Sequence, residues 1–335
     1  MAEALYVSDR LATVFGGSGF IGRHVVRALA REGWRVRAAV RRPDLAGFLR
    51  PLGAVGQIEA VQANLRYPES VEAALEGADA AVNAAGVKRQ SGRQTYRAVH
   101  VLGAGEIARA AATLGVSALV HISGIGADAA SANPYIASKG LGEAAAREAF
   151  PGAIVLRPSV AFGPEDDFLN RFAALARVLP VLPLFGGGAT KLQPVFAGDV
   201  GLAVARALDG AAAAGRTYEL GGPEVMTLRE AIERTLRIVE RRRALLPLPF
   251  GVARLFAHTT ELAGAISLGV FPRMLTTTRD EIELLRRDNV VSAAAIAEGR
   301  ALSDLGVEPQ GVEALAPAYL YCFRKTGQYA SGRAA

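Results

Sequence analysis

The chain has 335 residues and a mass of 35.0 kDa, with 51% of its residues hydrophobic and 21% charged. That exceeds one typical domain of roughly 100–200 residues and carries enough apolar content to bury a core, so disorder is excluded. A single cysteine, Cys322, excludes a disulfide framework, and with four scattered histidines lacking ligand spacing no metal centre is expected. The net charge of +6 rests on thirty-four arginines and four lysines, spread along the chain without a basic–aromatic stripe, so no nucleic-acid partner is expected.

Residues 1–9 carry neither a basic n-region nor an apolar h-region, and no apolar run reaches the ~20 residues of a spanning helix, the longest being 262–272. A soluble chain without an import signal is the expectation. Apolar runs at Leu11–Phe15, Arg35–Val40, Ile58–Ala63, Ala80–Ala84, Leu119–Ser123 and Ile154–Leu156 read as strands. Helix-period segments near 20–32, 43–52, 69–76, 98–114 and 134–149 lie between them. This alternation predicts a Rossmann-type α/β fold over 1–160, a doubly wound parallel sheet covered on both faces. Asn133-Pro134 reads as an N-cap and N1 proline, and Phe150-Pro151-Gly152 as the stop of that helix.

Past Arg157 the rhythm changes. Pro180, Pro183 and Gly186-Gly187-Gly188 mark a turn-rich stretch. A strand near 193–196, a helix from Gly198 to Leu208, a strand at Thr217–Leu220 and a charged helix from about Thr227 to Arg243 follow. These predict a smaller, partly interleaved C-terminal α/β subdomain over 161–328, for substrate or partner docking, with a frayed tail at 329–335.

The first strand runs into Gly16-Gly17-Ser18-Gly19-Phe20-Ile21-Gly22, which satisfies both GxxGxxG and GxGxxG. The first glycine turns the chain, the next lets the backbone approach a pyrophosphate, and Gly22 lets the new helix pack close to the sheet. The unpaired N–H groups opening that helix hold the anion. Because the motif follows a strand and precedes a helix, it reads as a dinucleotide site. At the end of the second strand, where an acid would take the ribose hydroxyls of NAD, stand Arg41 and Arg42. Two guanidiniums suit the 2′-phosphate of NADPH, with two solvated surface arginines as the alternative.

Tyr135 and Lys139 lie four residues apart on one face of the helix opened by Pro134. An adjacent ammonium lowers the pKa of a phenol toward the range useful for acid–base work. Together with the glycine loop, this pair resembles the extended or atypical short-chain dehydrogenase/reductases. Asn64-Leu65, Asn83-Ala84-Ala85-Gly86 and Leu156-Arg157-Pro158-Ser159 stand where that superfamily contacts adenine, the dinucleotide and the nicotinamide. The resemblance implies cofactor contacts from Gly16, Gly19, Phe20, Ile21, Gly22, Arg41, Arg42, Asn64, Leu65, Ala84, Ala85, Gly86, Tyr135, Lys139, Pro158 and Ser159. It makes Tyr135 the acid/base, Lys139 its tuner and ribose ligand, and Ser123 the candidate polarising hydroxyl. The family's usual aspartate is Asn64 here, and Gly124 stands where a second hydroxyl is usual; a strand-end Ser123 without catalytic role is the other reading.

A closer resemblance spans nearly the whole chain. Ile122-Ser123-Gly124-Ile125-Gly126-Ala127-Asp128, Gln193-Pro194-Val195, Asp199-Val200 and the run Leu275-Thr276, Arg279-Asp280, Leu284-Leu285, Asp288-Asn289-Val290, Leu305-Gly306-Val307 and Pro317-Ala318-Tyr319-Leu320 resemble the NAD(P)H-binding alpha-subcomplex subunit 9 family of respiratory complex I accessory subunits. That resemblance implies a tightly held, mainly structural NADPH, other complex I subunits as partners and a place on the peripheral arm near the quinone site. It implies a peripheral location on the cytoplasmic side of a bacterial inner membrane, or the matrix side for a mature mitochondrial form. The alternative is a free-standing NADPH-dependent reductase or epimerase using Tyr135 and Lys139, so whether the chain is itself an enzyme stays open.

Asp166-Asp167 read as a cap for the helix near Phe168, and Gln193 and Asp199 as braces of the cofactor cleft, Asp199 also able to cap its helix. Residues 244–275, apolar with basic flanks, suit a membrane interface or partner subunit, or a core helix pair. Arg241-Arg242-Arg243 suit acidic lipid, a partner carboxylate or a solvated helix end.

Overall fold

The computed structural model describes residues 7–254, 257–259, 278–325 and 327. Seven parallel strands make the central sheet. The first six are β1 (Leu11–Phe15), β2 (Arg35–Val40), β3 (Ile58–Gln62), β4 (Ala80–Asn83), β5 (Ala118–Ile122) and β6 (Ile154–Pro158). With the strand Thr217–Leu220, the spatial order is Thr217–Leu220, β6, β5, β4, β1, β2, β3. The chain winds outward through β2 and β3, then reverses to lay β4 on the other side of β1. That reversal opens a crevice at the carboxyl ends of β1 and β4, where α/β sheets bind ligands.

The inner strands β1, β4, β5 and β6 are short and buried on both faces, as helical crossovers require, whereas the edge strand β3 is only partly buried. The helices are α1 (Phe20–Arg31), α2 (Pro68–Leu75), α3 (Gly103–Thr113) and α4 (Pro134–Ala149). One core layer joins Phe15, Val71, Leu75, Ile107 and Leu119, all at most 1% exposed. Asn133 caps α4, its side chain accepting from the Tyr135 and Ile136 N–H groups, and Pro134 occupies the first turn.

Several local expectations need correction. Segment 43–52 forms two 3₁₀ turns, Pro43–Leu45 and Gly47–Leu52, because Pro51 falls inside the second and cannot donate. The helix expected from 98 opens with a π-helical segment, Arg97–Leu102, before α3. The charged helix ends at Ile238, short of Arg243. Within the stretch expected as an interface or a core helix pair, Ala244–Leu248 is a strand, whereas 250–254 and 257–259 are helical and place Ala253 and Ala257 in a small buried cluster with Ile282. The rest of the expected 244–275 element beyond 259, Leu275-Thr276 and the tail 329–335 lie outside the described residues.

The chain divides into two units. The first takes the described residues to Pro158, Ala197–Gly221 and Val291–Pro309; the second takes Ser159–Phe196 and the described residues of Gly222–Val290 and from Gln310 on. In the first, helix Ala197–Arg206 packs on α1, where Gly201 meets the His24 carbonyl. Segment 291–309 is tied to the sheet edge by Glu219, which accepts from Ser292 N at 2.7 Å, and by Arg300, which donates to Thr217 O at 2.8 Å.

The second unit pairs small ladders: Ala161–Phe162 with Val195–Phe196, Lys191–Leu192 with Met226–Thr227, and Val181–Phe185 with Ala244–Leu248. Thr227 and Glu230 form a capping box at the start of Leu228–Ile238. Asp166 accepts from Phe168 N at 2.8 Å and Asn170 N at 3.0 Å, at the start of helix Leu169–Val178, and from the Tyr319 hydroxyl at 3.0 Å.

Candidate functional site

The glycine loop is shaped by contacts that no side chain tolerates. Gly16 has φ +76°, and a Cβ there would lie 2.9 Å from Ala84 O and Ala85 N at the end of β4. A Cβ on Gly22 would lie 2.1 Å from Gly16 O. Gly22 is thus required by the loop's own carbonyl rather than, as expected, by close approach of helix to sheet. Gly19 precedes α1 as its N-cap residue with no side-chain cap, so the first N–H groups of the helix have no side-chain competitor for an anion. Phe20, Ile21 and Gly22 supply those groups. Ala84 N donates to Phe15 O at 3.0 Å, and Ala85 N to Asn83 Oδ1 at 3.1 Å, which fixes the facing wall.

Arg41 and Arg42 follow β2, both exposed. Arg42 forms a bidentate pair with Asp44 at 3.2 and 2.9 Å. Asn64 Oδ1 accepts from Arg66 N at 3.3 Å, and Leu65 packs on the core layer below β1 and against Gly103. Pro158 ends β6 in the first unit. Ser159 begins the second, its Oγ 2.6 Å from Asn289 Oδ1. Gln193 donates to Gly222 O at 2.8 Å in the second unit, whereas Asp199, 2% exposed, lies in the first turn of Ala197–Arg206 in the first.

Tyr135 and Lys139 share one face of α4, and Glu143 continues it. A Cβ on Gly86 would lie 3.6 Å from both Lys139 Nζ and His100 Nε2. Tyr135 sits edge-on to His100 at 5.7 Å and to Tyr96 at 5.6 Å, while Tyr96 stacks on His100 at 5.5 Å. Burial pulls Lys139 down to about 8, with Glu143 acting in the opposite direction. Burial pushes the Tyr135 phenol up. This corrects the expectation of a tyrosine made more acidic by its lysine: the cost of a buried phenolate outweighs the ammonium.

Sequence reasoning passed over the groups that organise this pair. His100 Nε2 accepts from Val87 N at 3.0 Å, which leaves its proton on Nδ1 facing Ser138 Oγ at 2.8 Å. Ser138 in turn donates to Tyr135 O at 2.7 Å. Asn83 Nδ2 donates to His121 Nδ1 at 3.1 Å. Burial first, and Lys139 second, lower both imidazoles to about 3, so each is neutral. Glu143 holds Arg157 by two bonds of 2.9 and 2.7 Å. The available signal was a histidine inside an apolar run, at Val99-His100-Val101 and Val120-His121-Ile122, since a buried polar group needs partners.

Ser123 lies just past β5, 6% exposed, its hydroxyl without a hydrogen-bond partner. A Cβ on Gly124 would meet only Pro158 O, at 3.9 Å.

A glycine loop at the crevice between β1 and β4, followed by a Tyr–Lys helix after β5, is the geometry of one known family. The model of the NAD dependent epimerase/dehydratase family matches residues 12–221. The chain is 30% identical over 324 residues to NADH dehydrogenase [ubiquinone] 1 alpha subcomplex subunit 9, mitochondrial, of Arabidopsis thaliana, covering 96% of this chain and 80% of that relative. The chain belongs to this subunit 9 family, within the epimerase/dehydratase fold family. It is also 30% identical over 318 residues to the NADH-ubiquinone oxidoreductase 40 kDa subunit, mitochondrial, of Neurospora crassa, covering 95% and 80%. Its fold matches dTDP-glucose 4,6-dehydratase DesIV from Streptomyces venezuelae, solved with NAD and TYD bound. That match has a TM-score of 0.66 at 20% identity and covers 92% of this chain and 95% of that one. Family and fold agree on a nicotinamide dinucleotide as the ligand class.

Proposed function

We propose that this chain is an accessory subunit of an NADH:ubiquinone oxidoreductase, binding NADPH mainly as a structural element. The observation that carries the reading is likeness to complex I subunits of two organisms over at least 95% of the chain. The site geometry supports it from the other side. The glycine loop is intact, whereas burial raises the Tyr135 phenol, away from the range useful for a base, and Ser123 is buried without a partner. A cradle that binds but transfers no proton serves stability: ligand at a thousand times its dissociation constant adds about 4 kcal/mol to the bound fold.

NADPH rather than NADH rests on Arg41 and Arg42. Arg42 engages Asp44 only at the exposed surface, where such a pair is weak enough to yield to a 2′-phosphate. The subunit would dock peripherally on the arm that carries electrons toward quinone, on the matrix or cytoplasmic face of the membrane. Among the described residues no helix is long and apolar enough to cross one.

Purification from membranes in mild detergent, with mass spectrometry of the bound nucleotide, tests this. The expected result is comigration with flavin- and iron–sulfur-containing subunits and about one NADPH per chain. A small free species exchanging nucleotide rapidly overturns the reading.

A further inference from the structure

The ladder of Val181–Phe185 and Ala244–Leu248 has an inner and an outer face. Leu182 and Leu184 are fully buried, whereas Val181 is 40% and Leu246 53% exposed, and Ala244 stands opposite Val181 across the pair. Val178, which ends the helix leading into the first strand, is 64% exposed. Isolated exposed aliphatics are ordinary, but Val181 and Leu246 share the outer face of one small ladder and Val178 stands three residues before it.

Arginines frame it. Arg177 directly precedes Val178, and Arg241-Arg242-Arg243 directly precede Ala244. Arg243 Nε donates to Ala176 O at 2.8 Å and Arg241 Nε to Phe323 O at 2.9 Å. Their guanidiniums are therefore positioned by neutral carbonyls, and among the described residues no carboxylate pairs with Arg177, Arg241, Arg242 or Arg243. The nearby Glu240 is paired with Arg324 at 3.5 Å. Burial and the charges of Arg243 and Arg177 hold Arg241 below the usual arginine range, a sign of crowded like charge. An open groove of about 610 Å³ is lined by Leu236, Arg237, Arg241, Arg242 and Arg243 together with Glu233 and Glu240.

We propose that this arginine-framed ladder face is a membrane-docking surface that seats on an anionic phospholipid bilayer. Val178, Val181 and Leu246 enter the interface, and Arg177, Arg241, Arg242 and Arg243 meet lipid phosphates. Exposed aliphatic side chains flanked by four arginines that no described carboxylate pairs suit fluid headgroups better than a protein hot spot. The contact stands independently of membership in a respiratory complex.

The full chain, mixed with vesicles of phosphatidylcholine alone or with phosphatidylglycerol, is separated by flotation. It should float with the anionic vesicles and lose them at high salt, because screening weakens charge attraction. Arg242→Gln should weaken flotation about fivefold, the worth of one basic residue near an anionic surface. Leu246→Glu should weaken it further, both variants retaining dinucleotide binding as proof of folding. Three results overturn the proposal: no flotation with anionic vesicles at low salt, equal flotation with neutral vesicles, or variants that float like the parent. The first would assign the face to an acidic protein partner.

Discussion

At the scale of single residues, the two buried histidines decide more than the tyrosine they flank. His100 and His121 are neutral because burial and the nearby Lys139 make a second positive charge costly. In the unfolded chain each would titrate near 6.5. Their contribution to stability is therefore fully present above about pH 6.5 and is lost as the pH falls toward about 3, since the unfolded state binds the extra protons. Urea unfolding between pH 7 and pH 5 should show stability falling by up to about 1.4 kcal/mol per pH unit for each histidine. The variants His100→Gln and His121→Gln should flatten that slope, and a slope unchanged by both would refute neutral burial.

At the scale of elements, α4 works because small residues let it approach its neighbours. A Cβ on Gly142 would lie 2.2 Å from the His100 carbonyl, and one on Gly140 2.3 Å from Ala129 N. This closeness brings the Tyr135–Lys139–Glu143 face against the π-helical segment carrying His100. A π-helical turn re-aims side chains that a regular helix would place elsewhere, and such turns gather at functional sites. Gly142→Ala should cost about 1–3 kcal/mol through overpacking, measured by chemical denaturation. It should also disturb the histidine ring signals by NMR, whereas substitution of Ala144, which lies on the exposed side, should do neither. The arginines after Ile238 are read differently at this scale as well. Arg241, Arg243 and Arg324 each donate to a carbonyl near the end of a helical segment, of Phe323, Ala176 and Ile238. They complement helix dipoles; Arg324 also pairs with Glu240, whereas no carboxylate among the described residues pairs with Arg241 or Arg243.

At the scale of the whole molecule, the proposed role of the cofactor is thermodynamic. A ligand gripped by backbone N–H groups of a loop that only glycine can form binds the native state and not the unfolded chain. Saturating NADPH should raise the melting temperature by roughly 10 °C, from about 4 kcal/mol of linkage at about 2–4 °C per kcal/mol for a chain of this size. Differential scanning calorimetry with NADPH and NADH side by side measures this. Equal shifts for both would remove the assignment of Arg41 and Arg42 to a 2′-phosphate. Tyr135→Phe should leave the shift intact, since the phenol is not what holds the loop.

The sequence alone determined the sheet, the glycine loop and the Tyr–Lys helix. Each depends on local patterns: two-residue or 3.6-residue periodicity, and glycines whose contacts lie within a few residues or at the next strand end. Gly16 and Gly22 were legible for that reason, as were the Asn133-Pro134 start of α4 and the strands Leu11–Phe15 and Arg35–Val40. The direction of the Tyr135 shift, the neutral histidines, the Glu143–Arg157 pair and the return of 197–221 and 291–309 to the first unit were decided only by tertiary structure. Those depend on burial and on partners dozens of residues apart. A four-residue spacing shows that a phenol and an ammonium share a face; how much water the fold leaves around them sets their charges.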